Sequence, residues 1–263
     1  MKITIFTSNQ SRHNYLINKF SEIAATLFVI QERKMIIKED HINKKDNLKS
    51  IYFSKVNKAQ NLIFKDHKTI HNNSTISLLK INMGELSSLK IDMIEDYLKS
   101  DLYIVFGSSY IKGELIEFLI SQNTINIHMG ISPFYRGSAC NFWALHDNNS
   151  HLVGATIHKL TKGLDDGPII YHAISEQVDD CFIYTMSTVK SAILSLYNIT
   201  QKKKLHKFTT NKQIDSKKIR YSKHKDFNDV AIIKFNSLKL SKKPFDYHSL
   251  KDFFLLKKED FFL

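Results

Sequence analysis

Residues 125–168 read INIHMGISPFYRGSACNFWALHDNNSHLVGATIHKLTKGLDDGP. The start, 124–127, is short, β-branched and apolar, and so are the segments 155–160 and 169–173, which reads as strand, strand and strand with loops between them. Residues two apart on a strand project from one face, so Asn126 and His128 point together. Asp165 lies in the loop joining the second and third of these strands, within reach of the first. Seven of the eight glycines, two of the three prolines and the only tryptophan, Trp143, fall between Gly107 and Pro168. A chain this sparing with both residue types spends them where turn geometry matters, and strand-end loops are where α/β proteins keep their sites. A side-chain amide can polarise a carbonyl and hold the oxyanion formed on addition, and imidazole exchanges protons near neutral pH. An amide, an imidazole and a carboxylate on such a frame point to acyl transfer.

Outward from this stretch the pattern alternates. Strands are predicted at 2–6, 26–30, 76–81, 102–106, 124–128, 152–160 and 168–174, and helices at 11–24, 51–64, 88–99, 110–121, 139–147 and 182–201, with a polar loop over 31–49. Strand and helix in alternation predict an α/β doubly wound, mostly parallel sheet covered on both faces. After the first strand comes Thr7-Ser8-Asn9-Gln10-Ser11-Arg12-His13, with no glycine, which argues against a dinucleotide cofactor. Asn9, Arg12 and His13 stand where a helix N-terminus can meet a substrate amine or phosphate, or else Ser8 or Asn9 simply caps the helix. The twelve histidines and two cysteines show no His-Glu-x-x-His or Cys-x-x-Cys spacing, so no metal is expected, and Cys140 and Cys181 read as structural residues of a reducing compartment.

Asn126-x-His128, then Ser132-Pro133-x-x-Arg136-Gly137, Trp143-Ala144, Gly154-x-Thr156-x-His158 and Leu164-Asp165-x-Gly167-Pro168, in this order and spacing, resemble the catalytic domain of the 10-formyltetrahydrofolate-dependent formyltransferases. The resemblance is clearest over 102–173 and looser in the first strand-helix unit. It implies a Rossmann-like formyltransferase fold, with 10-formyltetrahydrofolate as formyl donor and tetrahydrofolate as by-product. By the same resemblance, Asn126 hydrogen-bonds the formyl oxygen, His128 stabilises the tetrahedral intermediate and handles protons, and Asp165 orients His128 and relays a proton. Gly107-Ser108-Ser109-Tyr110-Ile111 is similar to the family segment whose main chain recognises the pterin, which makes Ser109, Tyr110 and Lys112 the expected folate contacts, with the loop through Asp166 closing that pocket. One departure is the missing proline after His128, where Met129-Gly130 implies a looser loop.

The chain is 263 residues long with a formal charge of +12, enough for one large domain and a basic surface suited to an anionic partner. Ten Lys or Arg and a single Asp fall within 201–225, which reads as a solvated basic linker or a pyrophosphate or RNA site. The domain expectation is a catalytic domain over 1–201, followed by this linker and a small C-terminal appendage over 202–263. No run of about 18 apolar residues suggests a membrane span, and the first strand leaves no leader, so a soluble cytoplasmic protein is expected.

Within the family, the tRNA enzyme carries a longer C-terminal domain, the purine enzyme a glycine-bearing first turn and the hydrolase an N-terminal regulatory domain. The remaining acceptor is a nucleotide-linked amino sugar, a 3- or 4-amino-dideoxy hexose, formylated for a surface polysaccharide such as the O-antigen of lipopolysaccharide. Its base and pyrophosphate are assigned to Tyr135 and Arg136 together with Asn9, Arg12 and His13. The expected partners are thus two small molecules rather than nucleic acid or membrane, and the apolar end of the tail suits a homodimer contact. The alternatives are a methionyl-tRNA formyltransferase-like enzyme acting on RNA and a non-catalytic folate-binding protein.

Overall fold

The central strands bury both of their faces because each carries apolar residues at odd and at even positions. In the computed structural model, which describes residues 1–33, 47–238 and 241–263, the elements run β1 (Lys2–Thr7), α1 (Ser11–Ser21), β2 (Thr26–Arg33), α2 (Leu48–Ile63), β3 (Ile76–Asn82), β4 (Leu102–Phe106), α3 (Gly113–Ser121), β5 (Ile125–His128), β6 (Tyr135–Gly137) and α4 (Cys140–His146). They continue with β7 (Ala155–Lys159), β8 (Ile169–Ser175), α5 (Cys181–Gln201), β9 (Arg220–Ser222), α6 (Asp229–Ser237) and β10 (Phe253–Leu256). Eight strands form one sheet in the order β10-β8-β7-β5-β4-β1-β2-β3. All neighbours pair parallel except β7, which runs antiparallel to both β5 and β8.

Ile3, Ile5, Leu27, Val29, Ile104 and Phe106 face one layer, packed on Leu16, Phe20, Val189 and Leu196 of α1 and α5. Their sequence neighbours Phe6, Ile30, Tyr103 and Val105 face the other, against Leu86, Leu98, Leu115 and Leu119. This period-two division produces the two-sided α/β sandwich expected from the alternation. A third cluster, Ile131, Tyr135, Phe142, Trp143, Tyr184 and Phe235, seats the loops after β5 beneath α4 and α6.

The predicted elements appear with shifted ends, and one changes type. The helix expected at 88–99 is instead two 3₁₀ segments, Glu85–Ser88 and Asp92–Leu98, the second broken at Ile94 (φ −124°). Ser87, Ser88, Ile91 and Ile94 are weak helix formers, and only Leu86, Ile94 and Leu98 are buried here, so packing does not impose a regular α-helix. Most of the polar loop expected at 31–49 lies outside the described residues; at its described ends β2 continues to Arg33 and α2 begins at Leu48. The tail brings β10 to the sheet edge beside β8, and residues 220–222 form a two-stranded parallel ribbon with β6. No helix among the described residues is long and apolar enough to cross a membrane.

Strand order reverses between β4 and β1, and ligands of open α/β sheets bind in the crevice beyond the strand ends at such a point. The turn after β1, the turn after β4 and the end of β5 all open at this place. They carry residues 8–13, residues 107–112 and His128 respectively.

Candidate active site

Register places the chemistry. In the β5–β7 pair Asn126 lies opposite His158 and His128 opposite Thr156, so all four side chains belong to adjacent rows on one face. Asn126 Nδ2 donates to His158 Nε2 at 3.0 Å, while His158 Nδ1 donates to the Lys159 carbonyl at 2.8 Å. Those two bonds fix one tautomer of a neutral His158, and burial, outweighing the charge of Asp165, lowers its pKa. An amide nitrogen has two hydrogens, and His158 occupies one, which leaves Asn126 a second, oriented donor.

His128 is buried with its Nδ1 3.2 Å from Asp165 Oδ1 and its Nε2 donating to the Tyr135 carbonyl at 3.1 Å. Both ring nitrogens therefore face acceptors, as an imidazolium requires. Burial alone would lower this pKa, but the charge of Asp165 and the thiol of Cys140 beside the ring lift it well above 6.5. Burial likewise opposes the charge of Asp165, yet His128 wins there too and holds the carboxyl below its usual 3.8. The two partners agree in direction, and each stabilises the charged form of the other. Asp165 Oδ2 accepts from the Gly137 N–H at 3.2 Å, and its residue sits in the left-handed region at φ 54°.

The loop after His128 lacks the expected stiffening proline but is tied down by hydrogen bonds. Thr156 Oγ1 donates to the Gly130 carbonyl at 2.6 Å and accepts from the Ser132 N–H at 2.8 Å. His172 Nε2 donates to the Ser132 carbonyl at 2.9 Å, its Nδ1 accepts from the Lys251 N–H at 2.8 Å, and burial pulls its pKa down to about 4, so it stays neutral. Gly130 leaves room for the His128 ring. A Cβ there would stand 2.6 Å from His128 Nε2 and 2.5 Å from Cys140 Cβ. Gly130→Ala is expected to displace the imidazole and slow turnover by about a hundredfold, as ångström-scale misplacement does, with folate affinity unchanged; a variant of wild-type activity would contradict this packing.

Of the other sequence-predicted residues, Ser109, Tyr110, Lys112 and Asp166 are brought to one rim. Tyr110 donates from its hydroxyl to the Lys162 carbonyl at 2.5 Å, joining the turn after β4 to the loop before Asp165, and Lys112 Nζ lies 5.6 Å from the Tyr110 ring centroid. Asp166 accepts from Thr161 Oγ1 within that loop. Ser109 is held from behind, its N–H and Oγ both donating to Glu32, which also accepts from the Gly84 N–H at 2.7 Å. Sequence reasoning missed Glu32, whose signal was a lone carboxylate ending an apolar strand.

His13 and Tyr135 turn inward. The N-cap of α1 is Gln10 rather than Ser8 or Asn9, and its N–H donates to His13 Nδ1 at 3.2 Å. Burial, with Arg12 adding to it, drops the His13 pKa well below 6.5, and the ring packs on Phe106. Tyr135 is core, its hydroxyl taking an N–H from Asn149 at 2.8 Å. Asn9 is half-exposed. Arg12 donates to Gln60 Oε1 at 2.5 Å and is pulled down to about 10 by burial. Arg136 is buried and paired with Asp215 at 2.6 Å. Two cavities of about 630 and 440 Å³, lined by Lys2, Leu98 and Phe118 and by Leu102, Lys159 and Phe208, open near the starts of β1 and β4 and contain none of the three central residues.

The formyl transferase family model matches residues 67–194, a span holding Asn126, His128 and Asp165. Residues 67–194 thus resemble a formyl transferase domain. Methionyl-tRNA formyltransferase of Thermosipho africanus is 35% identical over 114 residues, 43% of this chain and 34% of that protein. The matches span only about a third of the length of such curated relatives, between 29% and 43%. Among solved structures, a sugar N-formyltransferase from a Shewanella species superposes with TM-score 0.54 at 15% identity, covering 91% of this chain and 89% of that one. The N-formyltransferase of Helicobacter canadensis, solved with folinic acid and dTDP-3-aminofucose, superposes with TM-score 0.51 at 13% identity over 89% and 79%. At such identities the likeness shows the fold alone.

The directions of the two shifts give a pH dependence of stability. A raised His128 pKa contributes fully below 6.5 and is lost as pH climbs through its higher folded value. A depressed Asp165 pKa contributes above 3.8 and is lost as pH falls through its lower folded value. The thermal midpoint of wild type relative to His128→Ala should thus be greatest between pH 3.8 and 6.5; a difference that grows above that window would contradict the pairing.

Proposed function

We propose that the chain is an N-formyltransferase that moves the formyl group of 10-formyltetrahydrofolate to the amine of a nucleotide-linked amino sugar, a 3- or 4-amino-dideoxy hexose. The observation that carries the reading is the buried His128–Asp165 pair beside Asn126, on a span that matches the formyl transferase family. The amine nitrogen attacks the formyl carbon, a C–N bond forms, and the carbonyl electrons move to oxygen. Asn126 donates its free amide hydrogen to that oxyanion, and the imidazolium of His128 supplies positive charge next to it. On collapse the carbon–N10 bond breaks, and the proton lost by the amine ends on N10 of tetrahydrofolate. Asp165, the more exposed of the pair at 12% against 6%, is the group through which this proton passes, directly or by water.

The folate is assigned to the rim of Ser109, Tyr110, Lys112 and Asp166, with Lys112 meeting its carboxylates and Glu32 holding the Ser109 turn in shape. For the acceptor, Asn9, Arg12 and Arg136 supply polar and cationic groups for a diphosphate, while His13 and Tyr135 serve through packing and main chain. A nucleotide-sugar acceptor is supported by the fold likeness to sugar N-formyltransferases along nearly the whole chain. Such a reaction would sit in the cytoplasm and feed a surface polysaccharide. A second reading, an aminoacyl-tRNA acceptor, is favoured by the 35% identity to a methionyl-tRNA formyltransferase. Turnover with 10-formyltetrahydrofolate against a panel of nucleotide-linked 3-amino and 4-amino sugars, with methionyl-tRNA as competitor, separates them. Formamide on one sugar supports the first reading; formylated tRNA alone overturns it in favour of the second.

A further inference from the structure

The basic stretch 201–225 does not hang free as a linker. Asn211 and Ile169 exchange two main-chain hydrogen bonds of 2.8 and 2.9 Å, anchoring the segment to the start of β8. Gln213, 8% exposed, then donates from one Nε2 to the Asp165 carbonyl at 2.8 Å and to the Gly167 carbonyl at 2.9 Å. Asp215 accepts from Arg136, and the N–H groups of Ile219 and Arg220 both donate to the Phe134 carbonyl. Finally β9 pairs with β6, where Gly137, whose N–H holds the Asp165 carboxylate, lies opposite Ser222. The fit at that crossing is tight: Gly137 has φ 95°, and a Cβ there would stand 2.0 Å from the Ser222 carbonyl oxygen.

Residues 211–222 thus grip Asp165 twice, at its main chain through Gln213 and at its carboxylate through the ribbon. Asp165 benefits from such a grip, because the left-handed region, though open to Asp, is less favourable than the right-handed one for any residue but glycine. Two carbonyls converge on one amide, so the nitrogen of Gln213 must be the atom facing them. Its Oε1 is buried with no partner among the described residues, a cost that an apolar side chain of the same size would not carry. The site keeps a glutamine for its donors.

We propose that Gln213 is a positioning residue for the formyl-transfer site: it locks the Asp165–Gly167 turn so that the Asp165 carboxylate meets His128. The inference rests on the proposed transfer reaction for its kinetic consequence, but not for its structural one. The test is a histidine-labelled NMR titration of full-length wild type, Gln213→Ala and the near-isosteric Gln213→Met, with Asp165→Asn setting the size of a complete loss. The groups facing the His128 ring are Asp165 from the loop, Cys140 from α4, His158 from β7 and the Tyr135 carbonyl from β6. Only the Asp165 contact changes in these variants. The expected result is a His128 midpoint that moves down from its wild-type position toward that of Asp165→Asn in both Gln213 variants. With the acceptor found in the panel, kcat falls about ten- to a hundredfold while the folate KM holds. A His128 midpoint unchanged in either folded Gln213 variant overturns the proposal, whatever happens to the rate. If no amine is formylated by wild type, the transfer reading fails while the titration still decides this one.

Discussion

His128→Ala is expected to abolish measurable formyl transfer while tetrahydrofolate still binds within a few-fold of wild type. The ring supplies a buried cation near Asn126, and its removal leaves the oxyanion with a single amide donor and Asp165 as an uncompensated buried charge. Loss of one preorganised electrostatic stabiliser costs about 3 kcal/mol, and the altered ionisation of Asp165, through which the proton passes, adds to it, so a fall of about ten-thousandfold or more in rate is the expected scale. The folate rim of Tyr110, Lys112 and Asp166 makes no hydrogen bond to His128, which is why binding should survive. Single-turnover kinetics and equilibrium titration with tetrahydrofolate check both halves. Near-normal turnover would remove His128 from the mechanism.

Asp165→Asn is the second large effect, and it separates charge from shape. Asparagine fills the same space and tolerates the left-handed conformation at φ 54°. It cannot hold His128 cationic, so the imidazole pKa should fall from its raised value, burial now dominating. Transfer should drop by about a thousandfold or more, with the lost rate not recovered at high pH. The protein should remain folded, because Gln213 still bonds the main-chain carbonyls at 165 and 167. Thermal unfolding monitors that fold, and kcat against pH monitors the charge. A variant with wild-type kcat would show that orientation alone, without charge, is what His128 requires.

Much of this was legible because periodicity speaks for regular elements. The sheet follows from alternation such as Ile3-Thr4-Ile5-Phe6, and the pairing of Asn126 with His128 follows from their spacing of two on a strand. The approach of Asp165 to His128 was legible only through its place in an ordered set of motifs, since no local pattern fixes a loop crossing from β7 to β8. What stayed hidden depends on partners far apart in the chain. His172 reads as an ordinary strand residue and Thr156 as one member of a motif without a role of its own, yet they hold the loop after His128. Gln213 sits in a run of lysines, where composition suggests a solvated linker, and only its distance to the carbonyls of Asp165 and Gly167 reveals a different role. Arg220, from the same run, forms a bidentate pair with Asp147 at 2.7 and 2.9 Å over the Trp143 ring. The 88–99 segment misled in the opposite way, since apolar spacing alone suggested a helix where too few side chains are buried to enforce one.

The central claim is that this site takes a formyl group from a folate and places it on an amine. Its most direct test is to supply 10-formyltetrahydrofolate carrying a ¹³C-formyl carbon, together with the amine panel, and follow that carbon by NMR. The account predicts that the label leaves the folate and appears in a formamide, with one tetrahydrofolate released per formamide formed. Label that stays on the folate, or appears only as free formate, would contradict it.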